Sequence, residues 1–218
     1  MDGKIKNIEE CNTLFEWRKQ FSTWHFDPKS NAKDDIVYNF CHFEGDWESE
    51  LESLKDISNE LPIDKYREKA LKEAEMFGNH AKNYYSIQQT DPSKQPKLYQ
   101  MAEKLGLDDC RIRIHCQNPG QLASWHLDKA QGPNENRDPK KTHRLFIFLQ
   151  DWNFGQVVQI GNKIVTHWKK GDTVWYRWQD LPHGTANFGH HQRFMMVITG
   201  TETERFMSLL KKYQNFKL

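Results

Sequence analysis

Hydrophobic positions follow different patterns in the two halves of the chain. Up to residue 109, apolar residues recur three and four positions apart among charged ones, as in amphipathic helices that cover a core. This pattern predicts helices at ESELESLKDISNEL, IDKYREKALKEAEMFGNHAKNYY and LYQMAEKLGL, the last ended by Gly106. We therefore predict that residues 1–109 form a helical N-terminal region packed on the rest of the domain.

After Asp109 the chain changes to short β-branched and aromatic runs, separated by the turn formers Gly, Asn, Asp and Pro. These runs predict strands at CRIRIHCQ, HRLFIFLQDW, QVVQIGNKIVTHW, DTVWYRW and RFMMVITG, with a tight hairpin turn at IGNK. Helices followed by strands favour an α+β fold in which the strands form a barrel or sandwich over residues 110–200. Residues 201–218 are expected to form a closing C-terminal helix.

Composition and charge exclude several classes of protein. The 218 residues carry a net charge of +1 and include eight Trp and thirteen Phe, which indicates a globular domain. No basic stripe with stacking aromatics is visible, so nucleic acid is a disfavoured partner. The opening MDGKIKNIEE has no apolar stretch behind it, so we expect no signal peptide and no membrane span. With four scattered cysteines, a cytoplasmic protein with reduced thiols is expected.

The candidate chemistry lies in three residues of the strand-rich half. His126 and Asp128 stand two positions apart in SWHLDKA, so on an extended segment both side chains point to the same side. His183, in LPHGTANFGHHQRF, can complete a face of two imidazoles and one carboxylate. Such a face leaves the opposite positions open, which suits Fe(II) that must also bind a cosubstrate and O2. A second His-x-Asp, at residues 25–27, is discounted because Pro28 follows it and no strand-rich region with a later His and Arg comes at a suitable distance.

The surroundings of this motif raise its specificity. The stretches PGQLASWHLD, THRLFIFL and PHGTANFGHHQR together resemble the Fe(II)/2-oxoglutarate-dependent oxygenases over about residues 110–200. The resemblance implies a double-stranded β-helix, a jelly-roll or cupin-like core. Within the superfamily the chain is most similar to the aspartyl/asparaginyl β-hydroxylase branch. That branch typically lacks the carboxylate of the triad, which Asp128 supplies in this sequence.

The resemblance also assigns residues to the cosubstrate. Arg193 would bind the far carboxylate of 2-oxoglutarate, since a planar guanidinium makes two parallel bonds to a carboxylate. Arg144 would be a second contact to the cosubstrate or to the substrate, with a salt bridge at the barrel rim as the alternative. Asn187 either orients a ligand or forms a turn. Three aromatic residues either line the pocket or belong to the core: Trp125, Trp175 and Tyr176.

The sequence therefore predicts a dioxygenase that hydroxylates a protein or peptide side chain, or an amino acid, and releases succinate and CO2. Its cofactor would be Fe(II), held by His126, Asp128 and His183, with 2-oxoglutarate and O2 as cosubstrates. Two alternatives stay open: a cupin-like metal enzyme that does not use 2-oxoglutarate, and a non-enzymatic binding module. The polar loop 129–142 could close over the site as a lid.

Overall fold

The structure is a computed structural model of the chain. It describes the residues numbered 36–55, 60, 62–63, 68, 71–72, 75, 83–126, 128, 137–161, 163–178 and 181–218. No helix among these residues is long and apolar enough to cross a membrane.

Eleven strands and three α-helices have both ends within the described residues. The strands are β1 (Ile36–Glu44), β2 (Ser86–Gln88), β3 (Asp108–Gln117), β4 (Leu122–His126), β5 (Thr142–Phe148), β6 (Gln156–Ile160), β7 (Lys163–Val165), β8 (Asp172–Tyr176), β9 (His183–Asn187), β10 (Arg193–Thr201) and β11 (Gln214–Lys217). The helices are α1 (Glu48–Glu52), α2 (Pro96–Leu105) and α3 (Glu204–Leu209), and a 3₁₀ turn covers Pro139–Lys141.

The strands form two sheets. The larger has the order β11-β1-β8-β5-β10-β3-β2, and the smaller has the order β4-β9-β6-β7. All pairings between these strands are antiparallel except that of β1 with β11, which is parallel. The chain thus has an α+β fold with a double-stranded β-helix core, as the sequence predicted.

Alternation along the strands divides the larger sheet into two buried faces. On β10, Phe194, Met196 and Ile198 pack with the helices in an outer core. The residues between them, Met195 and Val197, belong to an inner core that includes side chains of the smaller sheet. Since both faces of β10 are buried, its sequence RFMMVITG is almost continuously apolar. The inner face of the same strands also carries the polar residues of the candidate site.

Helix α2 is fixed at both ends by identifiable interactions. It begins at Pro96, and the buried carboxylate of Glu50 accepts hydrogen bonds from the backbone N–H groups of Lys97 (2.9 Å) and Leu98 (3.1 Å). It ends at Gly106, which has a left-handed φ of 70°, as the sequence predicted. These contacts hold the helix against the outer face of the larger sheet.

Two parts of the sequence prediction are wrong. Residues 36–44 lie in the region predicted to be helical, yet they form strand β1, and residues 86–88 form strand β2. The predicted C-terminal helix is limited to Glu204–Leu209 and is followed by strand β11. In both places the chain gains a strand partner that is remote in sequence, and the sheet therefore extends beyond residues 110–200 at both ends.

Other predictions are confirmed or lie outside the described residues. The five predicted strand runs all contain strands, and Ile160 pairs with Lys163, as a hairpin at IGNK requires. Residues 68, 71, 72 and 75 are helical, but much of the predicted helix around them is not described. The same holds for the second His-x-Asp motif at residues 25–27 and for residues 129–136 of the predicted lid.

Candidate metal centre

Strands β4 and β9 bring the two candidate histidines side by side. His126 is the last residue of β4 and His183 the first of β9, and the two are direct partners in the antiparallel register. Their ring centroids are 4.5 Å apart. An irregularity between Ala123 and His126 shifts the register just before this pair. Residues 57 positions apart in the chain thus meet because of strand pairing alone.

Asp128 completes the cluster from the segment that follows β4. Its carboxylate lies 3.7 Å from Nε2 of His126 and 3.4 Å from Nε2 of His183. One ligand atom from each of the three residues lies within 4.8 Å of the others. Two metal–ligand bonds of about 2.1 Å at a right angle separate their ligand atoms by about 3 Å, so only small shifts are needed to bind one ion. The structure thus brings together the three residues predicted as ligands.

The two imidazoles differ in how readily they are protonated, and therefore in how freely they can bind a metal. Nδ1 of His126 lies 2.6 Å from the carbonyl oxygen of Ser124, to which it can donate, and this leaves the Nε2 lone pair facing Asp128. His183 is 5% exposed, and its burial lowers the pKa of the imidazole to about 3. Burial also lowers the pKa of His126, but the hydrogen bond and charge of Asp128 outweigh it and leave a net increase. The imidazole of His183 is thus neutral and free to bind a metal, whereas at His126 a metal must compete with a proton for the Nε2 lone pair.

Tyr176, in strand β8, contacts the same cluster. Its hydroxyl lies 3.3 Å from Nε2 of His183, and its ring packs edge-on against the imidazole. Burial raises the pKa of the phenol well above its usual value, so the hydroxyl stays protonated and can donate a hydrogen bond. Of the three aromatic residues predicted to lie in the pocket or the core, Tyr176 therefore contacts the metal cluster. Trp175 faces the outer core instead, and Trp125 is half-buried.

Arg144 forms an ion pair with Asp128 inside the barrel. Its Nε donates to Oγ1 of Thr199 (3.1 Å), and its guanidinium lies over the ring of Trp178 at 4.9 Å. Burial raises the pKa of the Asp128 carboxyl, but Arg144 and His183 outweigh this effect and hold the pKa well below its usual value. The salt-bridge alternative for Arg144 is thus observed, between a buried guanidinium and a half-buried carboxylate. Neither Thr199 nor Trp178 carried a sequence signal, because their roles depend on where Arg144 points.

Arg193, at the start of β10, is a buried cation without an acidic partner among the described residues. It is 3% exposed, and its Nη1 donates to the carbonyl oxygen of Val157 (3.2 Å). Its Nε has no hydrogen-bond partner, and burial lowers the pKa of the guanidinium to about 9. Trp168 lies under the guanidinium at 6.0 Å. Buried charges are normally paired, so this arginine indicates a place for an anionic ligand.

The polar surroundings of Arg193 contain a second buried polar atom without a partner. Gln117 is its direct partner on β3, and both side chains face the barrel interior. The Gln117 amide donates to Oγ1 of Thr185 (3.0 Å), while its oxygen Oε1 is buried without a partner. Two buried polar atoms, Nε of Arg193 and Oε1 of Gln117, therefore lack partners within one small region. A ligand with both accepting and donating oxygens, or a water, could satisfy both.

Asn187 has contacts that match a structural role. It is completely buried, and its amide donates to the carbonyl oxygens of Gln117 (2.9 Å) and His191 (2.8 Å). Its Oδ1 accepts from the backbone N–H of Gly189 at 3.2 Å. These bonds hold the turn after β9 against strand β3. Of the two roles predicted for Asn187, they match the formation of a turn. His191 and its neighbour His190 are exposed in this turn.

Comparisons with known proteins complete the description of the site. No family model matches the chain, and no curated protein matches it. Among solved structures, a prolyl-4-hydroxylase from Pseudomonas putida is 17% identical with a TM-score of 0.43, over 66% of this chain and 90% of that chain. A Klebsiella pneumoniae protein with a double-stranded β-helix domain is 19% identical with a TM-score of 0.31, over 43% of this chain and 65% of that one.

A protein from Acidithiobacillus ferrooxidans described as a sugar phosphate isomerase is 16% identical with a TM-score of 0.31. The match covers 43% of this chain and 51% of that chain, so this chain spans about half the length of that relative. Likenesses with identities of 16–19% and TM-scores of 0.31–0.43 do not assign a function. The chain is an α+β protein with a double-stranded β-helix core that holds a His-Asp-His cluster suited to a metal ion.

Proposed function

We propose that this protein is an Fe(II)- and 2-oxoglutarate-dependent dioxygenase that hydroxylates a protein or peptide side chain, or an amino acid. The observation that carries the proposal is the combination of two features inside one barrel. One is the His126, Asp128 and His183 cluster, and the other is the unpaired buried guanidinium of Arg193. A metal enzyme without an anionic cosubstrate has no evident use for the second feature.

The donor set supports iron as the ion. Two imidazoles and one carboxylate on one face leave coordination positions for other ligands, the arrangement expected of a non-haem Fe(II) oxygenase. When bound, Fe(II) would supply the oxidising chemistry by which O2 and 2-oxoglutarate hydroxylate a C–H bond, with succinate and CO2 as the other products. The residues of this chain would bind and orient the reactants and exclude water from the barrel.

The spacing of Arg193 from the cluster supports 2-oxoglutarate as the cosubstrate. The guanidinium binds Val157, which pairs with Ala186, three residues from His183 along β9. Three residues of a strand span about 10 Å. An extended five-carbon diacid spans about 5 Å, and one metal bond and one hydrogen bond add about 5 Å more. A 2-oxoglutarate held by the metal at one end could therefore reach Arg193 with its other carboxylate.

The substrate branch stays a prediction from the sequence. None of the three solved structures described above is an aspartyl/asparaginyl β-hydroxylase, and the carboxylate of Asp128 is itself a departure from that branch. The resemblance of PGQLASWHLD and PHGTANFGHHQR supports the choice of an amino acid or a peptide side chain as substrate.

The proposal is tested by cosubstrate turnover without a prime substrate. Purified protein is mixed with Fe(II), ascorbate and 2-oxoglutarate, and succinate is measured beside a His183→Ala variant. Many such enzymes turn over slowly without substrate, so we expect succinate from the intact protein and none from the variant. Iron-dependent binding of 2-oxoglutarate is measured on the same samples.

The alternatives correspond to distinct results of this experiment. If the protein binds a metal but neither binds nor consumes 2-oxoglutarate, a cupin-like metal enzyme replaces the oxygenase, and Arg193 holds a different anion. If it binds no metal, the barrel is a binding module in which the histidines and Asp128 are structural.

A further inference from the structure

Strand β3 presents a row of basic side chains to the inside of the barrel. Ile112, Ile114 and Cys116 pack in or against the outer core, so the alternating residues between them lie on the opposite face. These alternating residues are Arg111, Arg113 and His115. The register confirms their direction, because Arg113 is the direct partner of Val197, an inner-core residue.

The register also places Arg113 two strands away from Phe146, whose ring packs against His183 of the metal cluster. Val197 pairs with Arg113 on one side and with Phe146 on the other, and the Phe146 ring lies 5.6 Å from that of His183. Two strand spacings separate Arg113 from Phe146, about 10 Å between backbones. An extended arginine side chain covers more than half of that distance, so the Arg113 guanidinium can approach a molecule bound beside His183.

Arg113 has no ion pair and no hydrogen bond among the described residues, although it is half-buried. Two other arginines of the barrel have identified surroundings. Arg144 is paired with Asp128, and Arg193 faces the region assigned to the cosubstrate. The carboxylate of Asp128 is therefore already paired with Arg144, and Arg113 has no anionic partner among the described residues.

The charge balance leads in the same direction. With Fe(II) and 2-oxoglutarate bound, the charges of these two groups cancel. Asp128, Arg144 and Arg193 then sum to one positive charge, and Arg113 and Arg111 of β3 add to it. A positive, partly desolvated cavity concentrates anions and disfavours cationic molecules.

We propose that the substrate of this site carries an anionic group, a carboxylate or a phosphate, which Arg113 binds next to the metal cluster. That the bound anion belongs to a substrate rests on the proposed function. The anion site itself does not depend on that function. The planar guanidinium can make two parallel hydrogen bonds to either anion. Such a contact would hold one end of the substrate on β3 and so direct a neighbouring C–H bond toward the metal.

The test follows the arginine side chains directly by nuclear magnetic resonance. The Nε–H signal of Arg113 is assigned by its loss in Arg113→Lys, and that of the exposed Arg205, on α3, serves as the control. Acetate and inorganic phosphate are titrated separately into metal-free protein and into protein loaded with Zn(II) and 2-oxoglutarate. We expect the Arg113 signal to shift and saturate at millimolar anion, while the Arg205 signal shifts weakly and without saturation.

The two probes and the two samples separate the outcomes. Stronger binding of acetate would indicate a carboxylate substrate, and stronger binding of phosphate would indicate a phosphorylated one. An Arg113 signal that responds no more than that of Arg205 in both samples would overturn the anion site. The proposed function is tested by a separate signal, the Nε–H of Arg193. If this signal does not change when Zn(II) and 2-oxoglutarate are added, the proposed function fails while the anion site at Arg113 can still stand.

Discussion

The guanidinium of Arg144 forms an ion pair with the carboxylate of Asp128, the candidate metal ligand, within the barrel interior. Arg144 is 8% exposed and is oriented by a hydrogen bond to Thr199 and by the ring of Trp178. The pair keeps the carboxylate ionised and in place without a metal, since a lone buried charge would be costly. Asp128 is thus prepared as a ligand by a residue that does not itself bind the ion.

Arg144→Met should lower the stability of the metal-free protein by about 1–3 kcal/mol, because it leaves the half-buried Asp128 carboxylate without the guanidinium that pairs with it. Zn(II) should restore much of this loss, since the ion then provides the missing positive charge. Urea unfolding with and without Zn(II) measures both effects.

The control for this prediction is Arg205→Met, which removes an exposed arginine on α3. It should leave the stability within about 0.5 kcal/mol of the original protein. Equal stabilisation by Zn(II) in the Arg144 variant and the original protein would show that the pair and the metal do not share Asp128.

Asp128→Asn and His183→Ala should each weaken binding of Fe(II) or Co(II) by about 100-fold or more, because each removes one of three ligands. Mutation of groups that merely support a ligand already costs about 10–100-fold. Equilibrium dialysis against Co(II) measures the affinities, and His190→Ala, in the exposed turn, is the matched control. If the two ligand variants keep the affinity of this control, the ion is bound elsewhere or not at all.

Asn187→Ala should destabilise the fold by about 2–3 kcal/mol, because the buried amide bonds to Gln117 and His191 would both be lost. The affinity for 2-oxoglutarate should stay close to that of the original protein. Urea unfolding and calorimetric titration of the cosubstrate measure the two quantities. The opposite result, unchanged stability with weaker cosubstrate binding, would assign Asn187 to the ligand.

The candidate ligands could be predicted from sequence because their spacing has a direct geometric meaning. His126 and Asp128 are two residues apart at the end of a strand, so the sequence alone placed them on one side. The strand runs after residue 109 were likewise predictable, since each combines β-branched residues with bounding turns. The double-stranded β-helix itself was predicted from the resemblance rather than from periodicity.

What the sequence could not predict depends on remote pairing. Strand β1 was missed although its sequence IVYNFCHFE is rich in strand-forming residues. Its pairing with β8, more than a hundred residues later, has no signal in the sequence. The short strand β11 exists because it lies beside β1. The sequence alone did not show that Arg111 and Arg113 face the inside of the barrel, because this depends on the register of β3 with β10.

Arg193 links the metal cluster to 2-oxoglutarate, so its replacement tests the central claim most directly. Arg193→Met removes a buried charge without an acidic partner, and the metal-free protein should be as stable as the original or more so. Its affinity for Fe(II) should not change, since Arg193 is not a ligand.

The decisive measurement is calorimetric titration of 2-oxoglutarate, without oxygen, into both proteins loaded with Fe(II). We expect the variant to bind about thirtyfold to several-thousandfold more weakly, the equivalent of about 2–5 kcal/mol. Equal affinity in the two proteins, or no binding to either, would contradict the assignment of this barrel to a 2-oxoglutarate-dependent oxygenase.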